Sequence, residues 1–138
     1  MIYVDGNITK NFTVAEIANN SADTLCKLVF TPELVSFAAL LQTLRDQYGK
    51  PLKVNSWYRT AEFNKRIGGS TNSIHLDGRA VDLAVSDVAS QEQLVKMWKK
   101  ICFANKRIGG ANVYPTFIHL DDYENKFGYT DFVYRNKR

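Results

Sequence analysis

Ser73-Ile74-His75-Leu76-Asp77-Gly78-Arg79-Ala80-Val81-Asp82 is the stretch on which the reading of this chain turns. Along a straight strand, residues seven apart point to opposite faces, because side chains alternate with a period of two. Gly78 lies between His75 and Asp82 and permits a bend that turns the imidazole back over the carboxylate. Asp82 is set among Ala80, Val81, Leu83 and Ala84. A carboxylate in so apolar a run is costly unless it is paired or bound to a metal.

The chain holds 2 His and 2 Cys, so any site built on histidine uses His75 and His119. His119 stands in Phe117-Ile118-His119-Leu120-Asp121, where alternation puts His119 and Asp121 on one strand face and Ile118 and Leu120 on the other. Each residue also has an ordinary reading: a hydrogen-bonded, half-buried imidazole for either histidine, and a turn cap or ion-pair partner for Asp82. The spacing therefore carries His75, Asp82 and His119 only as far as a candidate three-ligand zinc set. Such a set leaves a fourth position for water, as in catalytic rather than structural zinc sites.

Outward from this stretch, the local signals describe a mixture of helices and strands. Thr13-Val14-Ala15-Glu16 reads as a capping box opening a short helix to about Asn19. Thr31 as N-cap, Pro32 at the first helical position and Gly49 as the stop bracket a longer helix. Its face repeats at Leu34, Phe37/Ala38, Leu41, Leu44 and Tyr48. A short helix over Asn64–Ile67 opens near Thr60 and ends at Gly68-Gly69. Ser90 with Gln93 reads as a second capping box for a helix running to about Asn105, with Leu94, Met97/Trp98 and Ile101 on its core face. Strands are expected over Leu52–Trp57, Arg79–Val85, Thr116–Asp121 and Phe132–Tyr134. Without regular β-α-β alternation the class is α+β, a small antiparallel sheet with flanking helices in one domain over residues 1–138.

Two short pieces recur. Lys-Arg-Ile-Gly-Gly occupies 65–69 and 106–110, and Ile-His-Leu-Asp follows at 74–77 and 118–121. Their flanks do not match, so they are similar pieces rather than a repeat architecture. They suggest that both histidines sit in the same kind of setting.

Composition narrows the classes further. Of 138 residues, 45% are hydrophobic and 23% charged, which excludes a disordered or low-complexity chain. Cys26 and Cys102 have apolar neighbours and are expected as buried free thiols rather than a disulfide framework. The start of the chain shows no basic stretch followed by an apolar one, so no signal peptide is expected. The longest uncharged apolar-rich run, Leu34 to Leu44, has 11 residues, too few to span a bilayer. A soluble product made in the cytoplasm, with no membrane partner, is the expectation. The net charge of +4 is dispersed over basic pairs, which suits an anionic wall. No groove-reading helix or nucleic-acid motif accompanies it, so no nucleic-acid partner is expected.

With these pieces assembled, S-x-H-x-x-G-x-A-x-D and a later H-x-D resemble the zinc D-alanyl-D-alanine carboxypeptidase family. This family lies within the Hedgehog-like metallopeptidase superfamily, which includes cell-wall endolysins. Asn11-Phe12-Thr13-Val14-Ala15-Glu16 is similar to the family's N-F-T-x-x-E. Asn55-Ser56-Trp57-Tyr58-Arg59-Thr60 is similar to its S-G-Y-R-S, and Asn64 with Gly68-Gly69 to the N-x-x-x-G-G that follows. Gly109-Gly110, Val113-Tyr114-Pro115 and Phe117–Asp121 are similar to G-G-x-G-x-Y-P-x-F-V-H-x-D.

The resemblance implies one Zn2+ per chain on His75, Asp82 and His119, with Arg59 contacting substrate and, as a catalytic group, holding a carboxylate or a developing oxyanion. Ser73 is a candidate to hydrogen-bond substrate or to steady His75. The implied activity is amide hydrolysis in peptidoglycan stem peptides or cross-links by a monomer. Delivery would follow a phage-type lytic release or occur within a particle. The alternative is a non-catalytic zinc-containing virion or wall-binding module. Three positions depart from the pattern: Trp57 and Asn112 replace glycines, and Thr116 stands where several branches carry an acidic general base. Asp121 is then the first candidate base, with orientation of His119 as its alternative role, and Asp77 is the weaker candidate.

Overall fold

The computed structural model describes residues 6–138. The part of the leader reading that falls on residues 1–5 lies outside them. A β-hairpin, β1 (Asn7–Thr9) and β2 (Phe12–Thr13), leads into α1 (Val14–Ile17) and α2 (Ala22–Lys27). Next come α3 (Pro32–Tyr48), β3 (Val54–Ser56), α4 (Ala61–Arg66) and a 3-10 turn over Ile74–Asp77. The rest is β4 (Ala80–Leu83), α5 (Val88–Ala104), β5 (Gly110–Val113), β6 (Ile118–Asp121), a second 3-10 turn over Glu124–Phe127 and β7 (Val133–Asn136). The fold is α+β.

Five strands form one sheet in the order β3-β4-β6-β5-β7. The first four pair antiparallel, but β7 runs parallel to β5, so the expected antiparallel sheet is mixed at one edge. One face is apolar. Val81 and Leu83, Ile118 and Leu120, and Ala111 and Val113 are all buried there and join α3 and α5 through Phe37, Leu41, Leu94 and Trp98. Phe37 lies edge-on between Trp57 and Trp98, with ring centroids 5.7 Å from each. The other face carries the polar residues of the same strands.

The caps explain most boundaries. Thr13 and Glu16 form the reciprocal capping box of α1. Thr31 caps α3, and Gly49 ends it in the left-handed conformation at φ 74°. Helix α5 begins earlier than the Ser90–Gln93 reading, because Asp87 is the N-cap and its carboxylate accepts from Ser90 N at 2.9 Å. Asp87 is the stronger cap, since a charged acceptor there also meets the positive end of the helix dipole.

Two further expectations are corrected. Cys102 is a buried free thiol, whereas Cys26 is free but exposed, because short α2 buries Thr24 on a different side. The two Ile-His-Leu-Asp pieces do not share a setting: the first is the 3-10 turn and the second is β6. No helix of the described residues is long and apolar enough to cross a membrane.

Candidate metal centre

Two elements bring the candidate ligands together. Ser73 Oγ accepts from His75 N and caps the 3-10 turn, and Gly78 closes it at φ 69°. Glycine is required at 78 on two counts: the left-handed backbone, and a Cβ that would stand 2.5 Å from Leu34. The bend expected at Gly78 is present, and it lays His75 over β4. Asp82 of β4 and His119 of β6 are direct partners across the sheet. His75 Nε2 lies 3.3 Å from Asp82 Oδ1, and His119 Nδ1 lies 3.2 Å from the same oxygen. All three ligand atoms fall within 4.8 Å of one another.

The outer nitrogen of each imidazole is already committed. His75 Nδ1 meets the Trp57 carbonyl at 2.7 Å, and His119 Nε2 meets Asp121 Oδ2 at 2.8 Å. A carbonyl oxygen only accepts, so His75 Nδ1 carries a proton and a neutral ring turns its Nε2 lone pair inward. Asp121 imposes the complementary tautomer on His119. Two lone pairs and a carboxylate oxygen converging on one point suit a cation there.

Zinc bonds of 2.0–2.1 Å in a tetrahedron set adjacent donors about 3.3–3.4 Å apart, close to the two separations seen. The donors fit a zinc ion, with a carbonyl and a carboxylate behind the imidazoles as second partners usually are. Charge follows the same logic in the metal-free protein. Burial would lower the His119 pKa, but hydrogen bonds to Asp121 and Asp82 outweigh it and raise it to about 9. A proton thus occupies the place of the ion. Burial would raise Asp82, yet the two imidazoles hold it well below the usual carboxylate range.

A cavity of about 320 Å³ opens on this cluster, lined also by Arg59, Ser73, Asn112, Tyr114, Phe117, Glu124 and Arg135. A larger cleft of about 720 Å³, beside the C-terminal end of α5, contains none of the candidate ligands. Arg59 Nε donates to Ser56 Oγ at 3.2 Å, and its Nη2 approaches Asp82 Oδ2 at 3.5 Å. Burial lowers its pKa against the pull of Asp82. Tyr114 and Phe117 stack at 4.3 Å between centroids, and their loop is tied down by Gln91, whose Nε2 donates to the Tyr114 and Val85 carbonyls.

The peptidase M15 family model matches residues 10–121. The chain belongs to the peptidase M15 family. This is a family of zinc-dependent peptidases, and the His75/Asp82/His119 cluster is a group able to hold such a metal. No curated protein matches the chain.

In this M15 peptidase the remaining candidates fall in different places. Asp121 is fully buried behind His119, its second oxygen accepting from Tyr123 N at 3.2 Å. It does not line the cavity. Asp77 does not line it either, and its carboxylate pairs with Lys126 at 2.7 Å. Ser73 both caps the His75 turn and lines the cavity.

Glu124 is the carboxyl that the sequence reading missed. It is 2% exposed yet reaches the cavity, and burial beside Asp121 raises its pKa to about 7. No motif marked it, since only the turn after β6 brings it there.

Proposed function

We propose that the chain is a zinc peptidase acting on peptidoglycan, hydrolysing an amide of the stem peptide or cross-link in the manner of a D-alanyl carboxypeptidase or endopeptidase. The observation that carries this reading is the three-donor cluster at the edge of an open cavity, with both outer imidazole nitrogens tied off. Zinc held there by His75, Asp82 and His119 would polarise the scissile carbonyl and lower the pKa of bound water from 15.7 to about 7.

The side chains divide the remaining work. Asp121 fixes the tautomer of His119 and acts as a positioning residue. Glu124 is the proton acceptor in this reading, because a carboxyl near pKa 7 in the cavity is matched to neutral pH. Arg59, half-buried beside Asp82, offers a fork of donors to a substrate carboxylate or developing oxyanion. Ser73 supplies a further hydrogen-bonding group. The +4 charge suits an anionic wall as the target of a monomer released by a phage-type lytic system or carried in a particle.

Zinc analysis of the purified protein, joined to digestion of peptidoglycan read by mass spectrometry, tests the reading. One zinc per chain and release of peptide fragments are expected. Zinc without any fragment from any wall chemotype would leave a non-catalytic module and sink the enzyme assignment.

A further inference from the structure

Ser56, Asp82, His119, Asn112 and Arg135 are successive partners across β3, β4, β6, β5 and β7, and they form one row on one face of the sheet. Neighbouring strands lie about 4.8 Å apart, which sets the backbone of Arg135 roughly 10 Å from that of His119. At the other end of the row, Arg59 is anchored on Ser56. The candidate ligands Asp82 and His119 therefore stand between two guanidinium groups, and both groups line the same cavity.

Arg135 is built into the site. Its Nη1 donates to Asn112 Oδ1 at 3.2 Å and its Nη2 to Glu124 Oε1 at 3.0 Å. Gly110 makes room for this arrangement, since a Cβ there would stand 2.8 Å from the Glu124 carboxylate. Asn112 replaces a glycine of the resembling pattern, and Arg135 lies beyond the segment that the family model matches. The guanidinium also meets Tyr129, with the ring centroid 5.6 Å away. The Arg135 side chain still remains 31% exposed, and its five N–H donors exceed what these three partners use.

Building on the hydrolytic reading above, we propose that Arg135 is a specificity-determining residue that pairs with a substrate carboxylate. The preferred substrate is then an acidic peptide with one carboxylate on each side of the cleaved amide, one held by Arg59 and the other by Arg135. A planar guanidinium suits a carboxylate through two parallel hydrogen bonds.

The test uses the full chain with and without zinc and a synthetic acidic peptide in three forms: both carboxylates free, one amidated, or the other amidated. Calorimetry gives binding to the metal-free protein, and turnover gives kcat and KM for the loaded one. The wild type should prefer the double acid over either amide by about tenfold to a hundredfold. Arg135→Gln should erase the preference at one position only, read as the ratio of acid to amide KM, and keep the preference owed to Arg59; the change in kcat from its lost bond to Glu124 falls on all three peptides alike. Arg135→Lys should restore part of it.

If Arg135 serves only to neutralise Glu124, Arg135→Gln will weaken all three peptides alike, and the proposal is overturned. It is equally overturned if the wild type does not distinguish acid from amide. Binding preference without cleavage would instead remove the hydrolytic reading and leave this one standing.

Discussion

His75 donates its Nδ1–H to the carbonyl of Trp57 at 2.7 Å, and the Trp57 indole donates in turn to the carbonyl of Gly78 at 2.9 Å. One tryptophan therefore grips both the imidazole and the end of the turn that carries it. Its ring is fully buried against Phe12 and Phe37. Trp57, which stands where the resembling pattern has glycine, thus buttresses the first candidate ligand. Trp57→Phe keeps an aromatic ring, though a smaller one, and leaves the Gly78 oxygen without its buried donor. The expected cost is about 1–3 kcal/mol of stability, with weaker zinc binding, measured by thermal unfolding and metal titration.

The metal set has no spare histidine, because both histidines of the chain are in it, although Asp121 and Glu124 form a second group around His119. His75→Ala, Asp82→Ala and His119→Ala should each reduce the zinc content from one per chain to nearly none and abolish activity. Elemental analysis after dialysis checks this. A variant that retained full zinc would exclude that residue as a ligand.

Asp121 and Glu124 should separate in their effects. Asp121→Asn disturbs the His119 tautomer and is expected to weaken metal binding by about 10–100-fold. Glu124→Gln should keep its zinc and lose about 10²–10⁴-fold in kcat. The reverse pattern, with zinc retained and rate lost in Asp121→Asn alone, would return the base to Asp121.

The metal-free protein should lose stability in alkali. His119 is raised from 6.5 to about 9, so its contribution is fully present below 6.5 and disappears as pH rises through 9. Asp82, held below its ordinary 3.8, works in the opposite sense: its contribution is present above 3.8 and is lost in strong acid. The Tm of the metal-free chain should therefore decline between pH 6.5 and 9, while the zinc-loaded chain stays flatter. Zinc uptake at neutral pH should release about one proton, seen as a buffer-dependent heat. A metal-free Tm that rises over that window contradicts the assignment.

Gly110→Ala should displace Glu124, because the new Cβ would stand 2.8 Å from its carboxyl group. Overpacking of this kind costs about 1–3 kcal/mol. The buried carboxyl would also leave the reach of Arg135. Thermal unfolding measures the first effect, and the rate loss should resemble that of Glu124→Gln.

Much of the frame was legible along the chain. Thr31, Pro32 and Gly49 bracket α3 because caps are local chemistry, and Asp82 stood out as a carboxylate in an apolar run. Strand β5 was not legible: Gly110, Ala111 and Asn112 have little strand preference, and their partners β6 and β7 make them a strand. Glu124 and Arg135 were invisible for the same reason, since their roles come from a turn and an edge strand brought in from elsewhere in the chain.

Ile-His-Leu-Asp shows where the division falls. The sequence alone pointed to the candidate donor set, through two scarce histidines, one apolar-flanked aspartate and the resemblance of their motif to a zinc peptidase family. Tertiary structure decided how each histidine serves. At 74–77 the tetrapeptide is a 3-10 turn, capped by Ser73 and closed by Gly78, and it offers Nε2. At 118–121 the same four residues are a central strand between β4 and β5 and offer Nδ1. Four residues are too few to set their own backbone: a cap and a left-handed glycine win at one copy, and ladder hydrogen bonds from two neighbouring strands win at the other.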